Sequence, residues 1–138
     1  MKTYETQIYR PQLADIDIAG VLYHANYFRF YERAREELLR HGALPYSKLV
    51  EASSFLAIVK SQQSFIRPIY IDTEFRVLLS VSSLRRASFV FDYEFCTDDG
   101  SPLHRASTDM AFVHRTSSGF NTRRIPPELL AILSEYSR

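Results

Sequence analysis

The sequence predicts a single α+β domain over residues 1–138: one long helix packed against a curved antiparallel sheet. Three observations carry this. The chain has 138 residues and is 46% hydrophobic, which suits one domain with a real core. Residues 24–41 hold apolar side chains at three- and four-residue steps: Ala25, Phe28, Tyr31, Ala34, Leu38 and Leu39. Beyond residue 54 the pattern changes to period two, with turn signals between short runs, and this implies antiparallel strands following one helix.

The elements follow in order. Residues 3–9 alternate Tyr4, Thr6 and Ile8 with Glu5, Gln7 and Tyr9, a first strand closed by Pro11. Residues 13–21 are irregular. The helix of residues 24–41 spans about 27 Å at 1.5 Å per residue. Arg40 and His41 suit its negative end, and Gly42 suits the cap. Its apolar residues on more than one side (Tyr27, Phe28, Phe30, Tyr31) call for a sheet that wraps partly round it. Residues 45–49 read as a short connector with a helical turn. Four strands then follow: residues 55–65, interrupted by Pro68; 74–84, with Phe75, Val77, Leu79 and Val81 on one side; 88–97, with Phe89, Phe91, Tyr93 and Phe95; and 104–115, with Ala106, Thr108, Met110, Phe112 and His114. Asp98-Asp99-Gly100 is a hairpin signal and Ser117-Ser118-Gly119 a turn. Pro126-Pro127 opens a short C-terminal helix. The sheet is therefore expected to have five strands.

Composition excludes several function classes. Seventeen Lys and Arg against sixteen Asp and Glu leave a net charge of +1, so no global field points to nucleic acid. No apolar run approaches the ~20 residues of a membrane span. The polar N-terminus makes a cytoplasmic address the default. The single Cys96 excludes an intrachain disulfide and a multi-cysteine metal site, and reads as a small buried apolar residue. His104 and His114 stand ten apart on one strand, too far to share a metal. No metal and no cofactor are expected. Fourteen of the seventeen basic residues are Arg, the side chain that grips phosphates and carboxylates bidentately.

The segment most suggestive of chemistry runs Asp15-Ile16-Asp17-Ile18-Ala19-Gly20-Val21-Leu22-Tyr23-His24-Ala25-Asn26-Tyr27. Two acids stand in an irregular loop just before a long helix. A helix start offers unpaired N–H groups and a partial positive charge, a ready site for a polarised carbonyl. A carboxylate beside it makes the pair that acyl transfer needs. The same acids also suit ordinary capping and dipole roles, which on composition alone are the commoner use.

From Asp15 to Arg35 the sequence, with Gly20-Val21, Tyr23-His24-Ala25-Asn26-Tyr27, Tyr31-Glu32 and Ala34-Arg35 at intact spacing, closely resembles the signature of the hotdog-fold acyl-CoA thioesterases. The resemblance is to the 4-hydroxybenzoyl-CoA thioesterase and Tol-Pal-associated group. Looser agreement continues through Phe65-Ile66-Arg67-Pro68-Ile69-Tyr70 with Asp72, Leu84 to Phe89, and Arg124-Ile125-Pro126. The resemblance implies a hotdog fold and hydrolysis of an acyl-CoA thioester without a metal. It implies Asp17 as nucleophile or general base and the backbone N–H at His24 as the donor to the carbonyl oxygen. Tyr23 and Asn26 would line the acyl site. Arg85, Arg86 and Ser88 would sit where coenzyme A phosphates are held. The family assembles as homodimers joined sheet to sheet, often paired into homotetramers, with the active site between subunits. Asp15 reads as a loop-shaping residue. Other hotdog thioesterases carry their carboxylate on the long helix, so Glu32 or Glu36 is the rival to Asp17. A thioesterase acting on acyl carrier protein, a hotdog dehydratase and a non-catalytic acyl-binding module remain as alternatives.

Overall fold

Period-two alternation on β-branched and aromatic residues produces the strands where it is strongest. The computed structural model describes residues 2–138. Its strands are β1 (Tyr4–Glu5), β2 (Ser54–Phe65), β3 (Arg76–Ser82), β4 (Ser88–Cys96), β5 (Pro102–Thr116) and β6 (Gly119–Thr122). Its helices are α1 (Tyr27–His41), α2 (Tyr46–Glu51) and α3 (Pro127–Glu135). One antiparallel sheet runs in the order β1-β3-β4-β5-β2, and β6 pairs the far end of β5. The sheet thus has six strands and not five. The sequence does not mark the sixth, because all four of its residues are exposed and Phe120 is their one large apolar side chain, so no burial period sets it apart.

The first strand also differs from expectation. Only Tyr4–Glu5 form a ladder with β3, and Tyr9 returns to bridge Phe75. Between them the Thr6 hydroxyl accepts the N–H of Val77 at 3.0 Å, a bond the ladder would give to a backbone carbonyl. The phase breaks there, and Tyr9 is buried while Ile8 is exposed. The long helix begins later than residue 24: His24–Asn26 make a 3₁₀ turn that leads into α1. Gly42 ends α1 as expected, but the left-handed residue is Ala43, at φ 62°. Gly42 is required for another reason, since a Cβ there would lie 2.6 Å from the Ile132 side chain.

The core lies between α1 and the concave face of the sheet. Tyr27, Phe30, Tyr31, Ala34, Leu38 and Leu39 of α1 are buried against Val77, Leu79 and Val81 of β3 and Phe89, Phe91, Tyr93 and Phe95 of β4. Phe28 is not part of it and stands half exposed. Phe75 and Phe95 stack with centroids 5.3 Å apart. Cys96 is buried, and burial pushes its thiol pKa up. The outer edge of β3 is covered. Besides β1, the C-terminal tail pairs with it, Val81 N donating to the Tyr136 carbonyl and Arg138 N to the Val81 carbonyl. The opposite edge, along β2, has no strand beside it among the described residues, and Val59, the extra residue of a bulge between Ile58 and Lys60, is 70% exposed.

His104 is sealed in this core, at 0% exposure. Rings of Tyr27, Phe65 and Phe95 surround it, the Tyr31 hydroxyl bonds its Nε2, and its Nδ1 has no partner among the described residues. Burial lowers its pKa from 6.5 to about 4. The folded state therefore keeps the ring neutral while the unfolded chain takes up a proton, so stability falls as pH drops from 6.5 towards 4. The expected loss is about 3 kcal/mol across that window. Urea unfolding of wild type and His104→Phe at pH 7 and 4.5 checks this. The wild type should lose more stability than the variant on acidification, and equal losses would refute the assignment.

Candidate active site

The segment before α1 folds as a small hairpin, residues 16–22. Asp17 N donates to the Val21 carbonyl at 2.9 Å and Gly20 N to the Asp17 carbonyl at 3.0 Å. Gly20 sits at φ 79°, the left-handed conformation that closing this turn requires. Val21 bridges Tyr70, and Leu22 N donates to the Ile69 carbonyl at 2.7 Å, so the hairpin is tied to the loop after β2.

Asp15 holds the hairpin to α1. Its carboxylate is 2% exposed, accepts the Gln12 N–H at 2.8 Å and pairs with Arg29 of α1. Its carbonyl accepts the Tyr23 N–H at 3.0 Å and the Asn26 side-chain amide at 2.8 Å. The loop-shaping role expected of Asp15 is what the structure displays. The donor end of the Asn26 amide is spent on this framework.

Two chemical groups are left over by these bonds. Asp17 Oδ1 accepts the Ala19 N–H at 2.8 Å, while Oδ2 has no donor among the described residues. The N–H groups of His24 and Ala25, first in the 3₁₀ turn, likewise have no acceptor among them. A carboxylate oxygen with a lone pair free and a pair of open N–H donors thus share one hairpin and the helix start it feeds. The His24 ring is exposed and lies 4.3 Å from the Tyr23 ring, with no hydrogen bond to Asp17. Around them Ile18, Tyr23, Phe65, Ile66 and Tyr70 leave large apolar surface exposed. A small cleft lined by His24, Tyr27, Phe65 and Ile66 adjoins the helix start.

The other expected contacts lie elsewhere. Phe65, next to the hairpin, pairs with His104, whereas Ser88 pairs with Ala111. Seven residues of β5 at ~3.4 Å each separate these levels by about 24 Å. Tyr23, His24, Asn26 and Asp17 are therefore together, and Arg85, Arg86 and Ser88 stand at the opposite end of the same protomer. The Ser88 carbonyl accepts the Arg85 N–H at 2.8 Å, closing a tight turn. There the structure adds residues the sequence reading passed over. Ile125 N donates to the Arg86 carbonyl at 2.8 Å, which brings Arg123 and Arg124 to the same turn. None of these four arginines has an acidic oxygen within 4.0 Å among the described residues. The signal that could have found them was the Arg124-Ile125-Pro126 ending, read only as a family resemblance.

Glu36 pairs with Arg40 on the helix surface, and Glu32 is exposed without a partner among the described residues. Both line a groove of about 510 Å³ between α1 and β2, floored by Leu39, Tyr46, Leu56, Ile58 and Met110. No cluster of three metal-ligating side chains occurs among the described residues. No helix among them is long and apolar enough to cross a membrane.

Comparison with known proteins identifies the family and the fold. The family model of the thioesterase-like superfamily matches residues 11–133. An acyl-CoA thioester hydrolase, YbgC, of Escherichia coli is 32% identical over 92 residues, covering 67% of this chain and 69% of its own. A 1,4-dihydroxy-2-naphthoyl-CoA hydrolase of Thermosynechococcus vestitus is 29% identical over 96 residues, covering 69% of this chain and 66% of its own. The crystal structure of a hypothetical protein from Aquifex aeolicus superimposes with a TM-score of 0.86 at 29% identity, over 94% of this chain and 98% of that one. With the curled antiparallel sheet, the central helix and the loop ahead of it all matched, the chain belongs to the thioesterase-like superfamily and has its hotdog fold.

Proposed function

We propose that this protein is an acyl-CoA thioesterase, hydrolysing a thioester to a free acid and coenzyme A with Asp17 as nucleophile or general base and the N–H groups at His24 and Ala25 as oxyanion donors. The observation that carries this is the open Asp17 Oδ2 on the hairpin that leads directly into the two open N–H groups. A thioester carbonyl oxygen placed on those N–H groups becomes more electrophilic at carbon and is stabilised as charge develops. Asp17 then attacks the carbon, or takes a proton from a water that does. The C–S bond breaks, its electron pair leaves on sulfur, and water supplies the oxygen of the product acid. A thiolate needs little help to depart, so no general acid is required. Tyr23 would flank the acyl group, and Asn26 would act by fixing the Asp15–Tyr23 framework. The names of the Escherichia coli and Thermosynechococcus relatives favour a coenzyme A ester as substrate, and the absence of a membrane-spanning helix among the described residues is compatible with the expected cytoplasmic address.

The working unit in this reading is at least a homodimer. One sheet edge is covered by β1 and the C-terminal tail, and the twelve-residue β2 leaves the other open. Such an edge is stable when paired. Twofold pairing of β2 with its copy runs the strands antiparallel, so the Phe65 end of one protomer meets the Ser54 end of the other. That carries the four arginines of one protomer towards the Asp17 hairpin of its partner, where the phosphates of coenzyme A would lie. A carrier-protein thioester is the second reading, because the same arginines suit an acidic protein surface.

Three measurements test this. Asp17→Asn should fold normally and lose on the order of 100-fold or more in turnover on a panel of acyl-CoA esters followed by free thiol release. Near-normal turnover would remove the role, and Glu32→Gln would become the next test. The double change Arg85→Ala/Arg86→Ala should raise KM for a coenzyme A ester with kcat little changed, and the effect should shrink in high salt. A pantetheine ester should not register it, and equal loss on both esters would exclude phosphate binding. Sedimentation at micromolar concentration should give a dimer or a tetramer. Ser61 of β2 pairs opposite Thr108, on the side of the ladder where β5 bonds β4, so its N–H points to the open edge. Ser61→Pro should therefore yield a folded monomer with depressed turnover, and a wild-type monomer would contradict the assembly.

A further inference from the structure

Tyr27 carries a hydroxyl that the fold does not use. The residue opens α1 and is 3% exposed. Its ring is enclosed by three others: Phe65 meets it edge-on with centroids 5.0 Å apart, His104 lies at 4.3 Å and Phe95 stacks at 6.0 Å. His104 is in turn held at its Nε2 by the Tyr31 hydroxyl. Other core tyrosines spend their hydroxyls inside the fold. Tyr9 donates to Glu37 at 2.9 Å, and Tyr93 shares a 2.7 Å hydrogen bond with Thr108. The Tyr27 hydroxyl has no partner among the described residues. Nor is it one of the fully enclosed polar atoms left without a partner, which are Nδ1 of His104 and Nδ1 of His114. It therefore reaches solvent, and Tyr27 lines the cleft beside the helix start. Such a hydroxyl has lost most of its access to water and gained no bond, a net cost to the fold. Burial raises its pKa, so the oxygen keeps its proton and is a donor.

Helix geometry places this donor. A helical side chain leans towards the N-terminus and covers the turn ahead of its own Cα. For Tyr27 that turn is residues 23–26, which hold the open N–H groups of His24 and Ala25. His24 and Tyr27 line the same cleft of about 280 Å³. Its walls of Val21, Leu22, Phe65, Ile66 and Pro68 carry no side-chain acceptor, and Arg67 is itself a donor, its Nε bonded to the Pro102 carbonyl at 3.2 Å. An acceptor for the hydroxyl has to come from what enters the cleft.

We propose that Tyr27 is a further catalytic residue, its hydroxyl the third donor to the thioester carbonyl oxygen beside the N–H groups of His24 and Ala25. This rests on the thioesterase reading and deepens it. No proton is transferred: the hydroxyl donates one hydrogen bond throughout, and the electron pair of the C–S bond still leaves on sulfur. The bond strengthens as negative charge develops on the carbonyl oxygen, so it acts on turnover more than on binding. The packed rings of Phe65, Phe95 and His104 hold the donor in place before the substrate arrives, which spares the cost of orienting it during reaction.

The test is Tyr27→Phe, which removes the hydroxyl and keeps the ring. The variant should unfold at a urea concentration no lower than the wild type's, because no bond within the fold is lost. On an acyl-CoA ester that the wild type hydrolyses, kcat should fall by about tenfold or more with KM little changed. A merely structural role moves stability and leaves this split unseen. A variant that fails to fold or unfolds earlier, or one with wild-type kcat, would overturn the proposal. A second measurement separates it from the reading beneath it. A coenzyme A thioether ketone, with a methylene group between sulfur and carbonyl, is labelled with carbon-13 at the carbonyl and followed by NMR. Its resonance should move downfield on binding the wild type, and less on binding Tyr27→Phe. If that difference is seen although no ester is hydrolysed, the thioesterase reading fails and the donor assignment stands. The same shift in both proteins overturns the donor assignment while hydrolysis by the wild type keeps the thioesterase reading. A ketone that binds neither protein, with no ester hydrolysed, removes both.

Discussion

A buried acidic residue to which four other residues are bonded underlies the candidate site. Asp15 pairs with Arg29 of α1, accepts a backbone N–H from Gln12, and through its carbonyl receives Tyr23 and Asn26. Those four bonds join the incoming chain, the hairpin of Asp17 and the helix start of His24 into one unit. Removing one partner of a buried charged network leaves the others unsatisfied, which costs more than the bond was worth. Asp15 thus fixes the hairpin of Asp17 and the open N–H groups relative to one another. The two acids of this loop differ because one is enclosed and saturated while the other keeps an oxygen in reserve.

The sheet imposes the second constraint. Its two edges are treated unequally: β3 is covered by β1 and by the C-terminal tail, and β2 is long, bulged at Val59 and open. Tyr46 already takes the outward N–H of Leu56, so the open stretch lies beyond it, towards Phe65. The two candidate half-sites, the Asp17 hairpin and the arginine turn, lie at opposite ends of β5. A single copy keeps them apart, and the proposed twofold pairing would bring unlike ends together. Fold and proposed function are therefore linked through β2: the strand with one edge unpaired among the described residues is the one whose pairing would complete the site.

Where alternation was strong the sequence was a faithful guide. Phe75 to Val81 and Phe89 to Phe95 alternate because one face of each strand packs on α1, and the structure buries those residues as expected. The helix register was legible for the same reason, except at Phe28, which points away from the sheet. What failed to show were features without a burial period. β6 is fully exposed, and the break at Thr6 depends on one hydroxyl replacing a carbonyl. Gly42 suggested a left-handed cap, yet it is small because Ile132 of α3 presses on it, a contact 90 residues away that no local pattern encodes. Asp15 was legible as a loop-shaping residue, because a turn motif has local chemistry. The grouping of Arg85 and Arg86 with Arg123 and Arg124 was hidden, since it arises where the start of β4 meets the segment after β6.

The most direct test of this account is a crystal structure of the Asp17→Asn protein with a coenzyme A thioether ketone, in which a methylene group stands between sulfur and carbonyl. The carbonyl oxygen should lie within hydrogen-bond distance of the His24 or Ala25 N–H. The residue 17 side chain should face the carbonyl carbon, directly or across one water, and the phosphates should rest on the arginine turn of a second protomer. A carbonyl bound away from the start of α1, with Glu32 or Glu36 beside it, would contradict the account.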